Sequence, residues 1–103
     1  MSSCHVRKHC LVIRLPREID HYQAEIIRKE CEIMFMKSLI RDVIFDFSNT
    51  VFMDSSGIGL IMGRYRAMGM RGDCIQAAGV SSYIEKLLHL SGVYKFVEIC
   101  GKV

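Results

Sequence analysis

The sequence has one proline, no Cys-x-x-Cys pair, no long apolar run and no marked charge of either sign. Each shortage closes a class of function. A bilayer span needs about 20 consecutive apolar residues, and no stretch here approaches that. The opening MSSCHVRKHC carries bases, but no apolar h-region follows, so it does not read as a secretory leader. The net charge of +3 at pH 7 is too mild to argue for nucleic acid. Arg7, Lys8, Arg14 and Arg17, and then Arg64, Arg66 and Arg71, read as solvated faces. No basic stripe alternates with aromatics as single-strand binding requires. The five cysteines, Cys4, Cys10, Cys31, Cys74 and Cys100, are odd in number. They fit a reduced, cytosolic chain in which thiols serve as small packing residues. Low-complexity tracts, internal repeats and linkers are also missing, so one domain over residues 1–103 is expected.

What is present is a globular composition, 50% hydrophobic and 24% charged. Cys10 to Leu15 reads as a strand, with a short partner at His5 to Lys8, and Pro16 stops it. Asp20 is an N-cap and Gln23 completes an approximate capping box. Ala24, Ile27, Cys31 and Met34, widened by Ile26 and Ile33, then predict an amphipathic helix to about Ser38. Glu25, Arg28, Lys29 and Glu32 occupy its wet side. Asp42 to Phe47 is a second clear strand. A second helix runs from about Ser55 to Met68, ended by Gly69 and Gly72. Cys74 to Ala78 is a short strand. Ser82 and Glu85 repeat the capping pattern before a third helix, closed by Ser91-Gly92, and Tyr94 to Ile99 is the last strand. Met34, Met36, Met53, Met62 and Met68 read as core filler.

The order is β(β)αβαβαβ. It predicts an α/β domain: a mostly parallel, four- or five-stranded sheet with about three helices and an antiparallel N-terminal strand pair. Right-handed crossovers carry the helices across the sheet faces. Every strand-to-helix turn then lies at one edge of the sheet. Pro16 to Asp20, Ser48 to Asp54 and Gly79 to Ser82 therefore share a rim, where helix N-termini present free N–H groups and partial positive charge.

Asp54-Ser55-Ser56-Gly57 stands at the mouth of the second helix. Either Asp54 or Ser55 caps that helix. If Asp54 does, Ser55 becomes the first helical residue with its hydroxyl free, a position where charge can be added and removed. Gly57, Gly59 and Gly63 form GxGxxxG after a strand, but about ten residues separate that strand from the first glycine, too far for a dinucleotide turn. They are read as allowing close helix–sheet packing. A nucleophile elbow wants glycine two residues before the serine, where Met53 stands. No base with an orienting partner is evident for Ser55, and His89 reads as a packed or partly exposed histidine, so the chain is read as non-catalytic. Cys4-His5 and His9-Cys10 lack zinc spacing, and no metal is expected.

Asn49 to Gly59 (NTVFMDSSGIG), followed by Gly63-Arg64-Tyr65, resembles the signature of bacterial anti-sigma factor antagonists, which are single STAS domains of the sporulation type. Glu18-Ile19-Asp20-His21 and Leu90-Ser91-Gly92-Val93 resemble two further elements of that family. The likeness runs from about Leu11 to Ile99 in order. It implies that Ser55 is phosphorylated by the anti-sigma factor itself, an ATP-dependent serine kinase. The unphosphorylated form would bind that kinase and free the sigma factor, and a metal-dependent serine phosphatase would reset the switch. Asp20 carries over as a contact and Asp54 as the residue that shapes the phosphosite. The expected partner face is Asp20, His21, Asp54, Ser55, Ser56, Gly57, Ser81 and Ser82. The chain would hold no cofactor of its own, ATP being used by the kinase. Neither nucleic acid nor a membrane is an expected partner, and the expected location is the cytoplasm. The alternative is a STAS subunit of a stress-sensing or transporter-associated complex. Two features depart from the family. Pro16-Arg17 replaces a small residue and glycine. The family's C-terminal helix is expected to be missing or truncated after Ile99, leaving sheet surface exposed and the chain a monomer or weak dimer.

Overall fold

β1 (Cys4–Arg7) and β2 (Cys10–Arg14) form an antiparallel hairpin in a computed structural model that describes residues 4–100. Lys8 and His9 make the turn with φ of 48° and 69°. That left-handed geometry suits a tight hairpin but is uncommon for residues with a Cβ. His9 holds the turn in place. Its Nδ1–H donates to the Leu39 carbonyl at 3.0 Å, and its own carbonyl accepts from the Arg41 N–H at 2.7 Å.

The rest of the main sheet is parallel. β4 (Asp42–Asp46) lies beside β2, β6 (Ile75–Ala78) beside β4, and β7 (Glu98–Ile99) beside β6, giving the order β1-β2-β4-β6-β7. α1 (His21–Lys37), α2 (Ser55–Ala67) and α3 (Ser82–Leu90) fill the crossovers. Each parallel crossover steps one way along the sheet, so right-handed connections put all three helices on one face. Side-chain burial follows: Leu11, Ile13, Val43, Phe45, Ile75 and Ala77 are sealed under the helices. Alternate residues Val12, Ile44, Gln76 and Ala78 stay half-exposed on the other face. That the helices share one face follows from the monotonic strand order, which sequence periodicity does not report.

A second, two-stranded parallel sheet pairs β3 (Glu18–Ile19) with β5 (Phe52–Met53), inside segments expected to be plain turns. Two-residue strands show no period, which is why they escape the sequence. Thr50, buried at 3% exposure, donates its hydroxyl to the Pro16 carbonyl at 2.8 Å and fastens the two turns together.

Other expectations need adjustment. Ile26 and Ile33 do not widen the buried stripe, and Met36 is 86% exposed instead of filling the core. The helix–sheet contact is narrow enough to be closed by Ala24, Ile27 and Cys31. Glu25, Arg28 and Glu32 do form an ion-pair triad on the polar side. The last strand is only Glu98–Ile99, because Gly92, with φ of 83°, leads instead into a 3₁₀ turn over Val93–Lys95. β6 starts at Ile75, after a 3₁₀ turn over Gly72–Cys74. Cys4, Cys31 and Cys74 are buried, whereas Cys10 and Cys100 are half-buried. Among the described residues no cluster of His, Cys, Asp or Glu could hold a metal ion, and no helix is long and apolar enough to cross a membrane.

Candidate functional site

The β3–β5 pairing builds the site. Glu18 is in register with Phe52 and Ile19 with Met53. The next residue on each strand is an aspartate, Asp20 and Asp54, and each caps a helix. The Asp20 carboxylate accepts from the Gln23 N–H at 2.9 Å, and the Asp54 carboxylate from the Ser56 N–H at 2.8 Å. The Asp54 N–H donates to the Ile19 carbonyl at 3.1 Å, locking one cap against the other strand. α1 and α2 therefore begin side by side, with their positive ends together and a carboxylate on each.

With Asp54 as cap, Ser55 is the first residue of α2 and is exposed. Among the described residues its hydroxyl has no hydrogen-bond partner. Asp54 does the capping work that would otherwise hold a serine hydroxyl against the backbone. Gly57 is buried directly beneath: a Cβ there would strike the Met53 side chain and meet Ile19 at 3.4 Å. The first turn of α2 sits on the β3–β5 ledge because this residue has no side chain. Gly59 and Gly63 do not share that role, since a Cβ on either would meet nothing within 4 Å. The close packing expected of all three glycines belongs to Gly57 alone.

Two clefts flank Ser55. One, of about 160 Å³, lies between α1 and α2 and is lined by His21, Arg28, Ser56, Gly59 and Leu60, among others. The other, of about 310 Å³, has Asp54 and Ser55 on its lip and Met53, Ile58, Leu87 and Leu90 as apolar walls. Asp20, His21, Asp54, Ser55, Ser56 and Gly57 are thus gathered at neighbouring helix mouths. Ser81 and Ser82 open α3, where Ser81 rather than Ser82 is the cap, its Oγ accepting from the Ile84 N–H at 3.1 Å. The part of α3 that faces Ser55 is its last turn, Leu87 to Ser91, roughly 13 Å along the axis from the capped end at 1.5 Å per residue. Leu90 was legible only as part of the Leu90-Ser91-Gly92-Val93 element, and nothing local marks Leu87 as a site residue. Their place beside Ser55 depends on how α3 lies across the sheet.

Elsewhere, Arg64 is a buried cation that sequence reading placed on a solvated face. At 8% exposure it lies over the Phe35 ring, 5.0 Å from the centroid. His89 is exposed at the end of α3 and stacks on Tyr94 at 4.4 Å.

The STAS domain profile matches residues 3–103, and the chain belongs to that family. The anti-sigma F factor antagonist of Paenibacillus polymyxa is 30% identical over 89 residues, which is 86% of this chain and 76% of that protein. The anti-sigma F factor antagonist of Lysinibacillus sphaericus is 36% identical over 63 residues, 61% of this chain and 54% of that one. Among solved structures, the anti-sigma factor antagonist SpoIIAA in its unphosphorylated form superimposes with a TM-score of 0.79 at 29% identity, covering 92% of this chain and 83% of that one. SpoIIAA in its phosphorylated form, described as a Bacillus cell fate determinant, gives 0.70 at 29% identity, covering 92% and 86%.

Proposed function

We propose that this chain is an anti-sigma factor antagonist. Its unphosphorylated form docks an anti-sigma factor serine kinase over the two aspartate-capped helix mouths, and phosphorylation of Ser55 by that kinase ends the docking. The observation that carries the reading is the free, exposed Ser55 hydroxyl at the first position of α2. The names of the relatives support it.

The energetics suit a switch. A phosphate adds about −1.5 to −2 charges at pH 7. The α2 N-terminus favours that charge by roughly 0.3–1 kcal/mol, and the Asp54 carboxylate opposes it by a similar amount. The fold tolerates the modification at little net cost. A partner fitted to a neutral serine does not, because like or unpaired charge desolvated at an interface costs several kcal/mol. The aspartates, His21 and Ser56 frame the contact, with Ser81 and Ser82 at its periphery. The chain contributes no catalysis and holds no cofactor. ATP is bound by the kinase, a metal-dependent serine phosphatase restores the binding form, and the exchange takes place in the cytoplasm.

Incubation with the cognate kinase and ATP, followed by peptide mass spectrometry, tests this. The phosphate is expected on Ser55. Ser55→Ala should abolish incorporation while binding persists, and Ser55→Asp should weaken binding with an unchanged melting temperature. Incorporation at another residue, or full incorporation into Ser55→Ala, refutes the proposal.

A further inference from the structure

The sheet face away from the helices is divided by charge. β1 and β2 carry Arg7 and Arg14 there, while β4 and β7 carry Asp42, Asp46 and Glu98. Strand register places Val12 beside Ile44 at the centre, with Arg14 beside Asp46 at one end. Among the described residues none of these arginines or acids makes an ion pair within 4 Å. Asp46 instead accepts from the Ser48 N–H and hydroxyl, and Glu98 accepts from Gln76 at 2.9 Å. The face is therefore half basic and half acidic, with a small apolar centre.

We infer that this open face pairs with the same face of a second copy of the chain. Two sheets meeting face to face are related by a two-fold axis lying in the interface. If that axis runs across the strands, basic strands stack on basic strands. If it runs along them, left and right exchange, and the basic half of each copy covers the acidic half of the other. An axis between β2 and β4 brings Val12 of each copy over Ile44 of the other, and Arg14 over Asp46. The strands of both copies then point the same way. Both Ser55 rims lie at one end of the dimer, so a two-site partner could engage them together.

About this axis β1, β2, β4 and β6 overlap, and four strands about 4.8 Å apart and about 17 Å long give roughly 330 Å² per copy. That is about two fifths of the area of a standard interface, so the dimer is weak and reversible. It does not depend on the Ser55 reading, and a monomeric result would leave that reading untouched.

The test is sedimentation equilibrium of the full chain up to about 1 mM, with two charge-reversed proteins. One carries Arg14→Glu. The other carries Asp46→Lys, at the position that lies over Arg14 of the second copy. The wild type is expected to dimerise with a dissociation constant between about 10 µM and 1 mM, weakening in about 0.5 M salt. Each reversed protein alone should lose at least about tenfold in affinity, and an equimolar mixture should recover it as a heterodimer. Circular dichroism melts of each protein show that the fold is retained. A wild type that stays monomeric, dimers indifferent to charge reversal, or a mixture that fails to associate overturns the inference.

Discussion

Removing the Asp54 carboxylate separates two roles that the residue could combine. The structure gives it one structural bond, from the Ser56 N–H to Oδ1 at 2.8 Å, at an exposed helix mouth. Loss of an N-cap acceptor costs about 1 kcal/mol, within a range of about 0.5–2. Asp54→Ala should fall there. The backbone bond from the Gly57 N–H to the Asp54 carbonyl survives the change. Unfolding entropy of about 2.1 cal/mol/K per residue makes 1 kcal/mol worth about 5 °C for a chain of this length. Asp54→Asn keeps an oxygen acceptor in the same place and should melt within about 2 °C of wild type. Asparagine also removes the charge next to Ser55, so its effect on phosphorylation can be read without a stability penalty. Thermal melts by circular dichroism at low protein concentration measure both. If Asp54→Asn melts as low as Asp54→Ala, the residue acts through charge rather than through the cap. If Asp54→Ala is neutral, the first turn of α2 is held by the β3–β5 ledge alone.

Gly79 has φ of +67°, and a Cβ there would meet the Ser48 hydroxyl and, at 3.1–3.2 Å, its backbone. Gly79→Ala should therefore cost about 2 kcal/mol or more in chemical denaturation, from the left-handed conformation and the contact together. A neutral result would show that the turn rearranges. Thr50→Val removes the hydroxyl that reaches the Pro16 carbonyl. It should cost about 1–3 kcal/mol, and equal stability would mean that the carbonyl finds another donor. The Cys31 thiol is held above its ordinary pKa, first by its hydrogen bond with the Cys4 thiol and then by burial, and burial raises that of Cys74. Native thiol titration with a disulfide reagent should find both silent at neutral pH and reactive after unfolding. Because the unfolded thiols ionise first, stability should also fall as pH rises above the ordinary thiol range. Rapid native labelling of Cys31 would contradict the packing.

Local signals carried much of this protein. Asp20 was readable as a cap because a carboxylate beside a helical period has few other uses, while at the second helix Asp54 and Ser55 stayed alternatives until the backbone chose Asp54. The free Ser55 hydroxyl was readable only as the consequence of one of those two choices. Strands β2, β4 and β6 and the three helices are long enough to print their period in apolar spacing. The α3 cap was misplaced by one residue, since either of two adjacent serines satisfies the pattern and only backbone geometry chooses Ser81.

The amino-acid order alone determined the three helices to within a residue or two of their starts, strands β2, β4 and β6, and the pair Asp54-Ser55 at the second helix mouth, because these are set by neighbours within a few residues. Tertiary structure decided what depends on distant strands meeting. The two-residue β3–β5 pair clamps the caps together, the last turn of α3 lies beside Ser55, and Arg64 is buried against Phe35. It also decided that, among the described residues, all three helices lie on one face of the sheet. Strand order and crossover hand are properties of the assembled chain, and no single segment carries enough of the contact energy to reveal them.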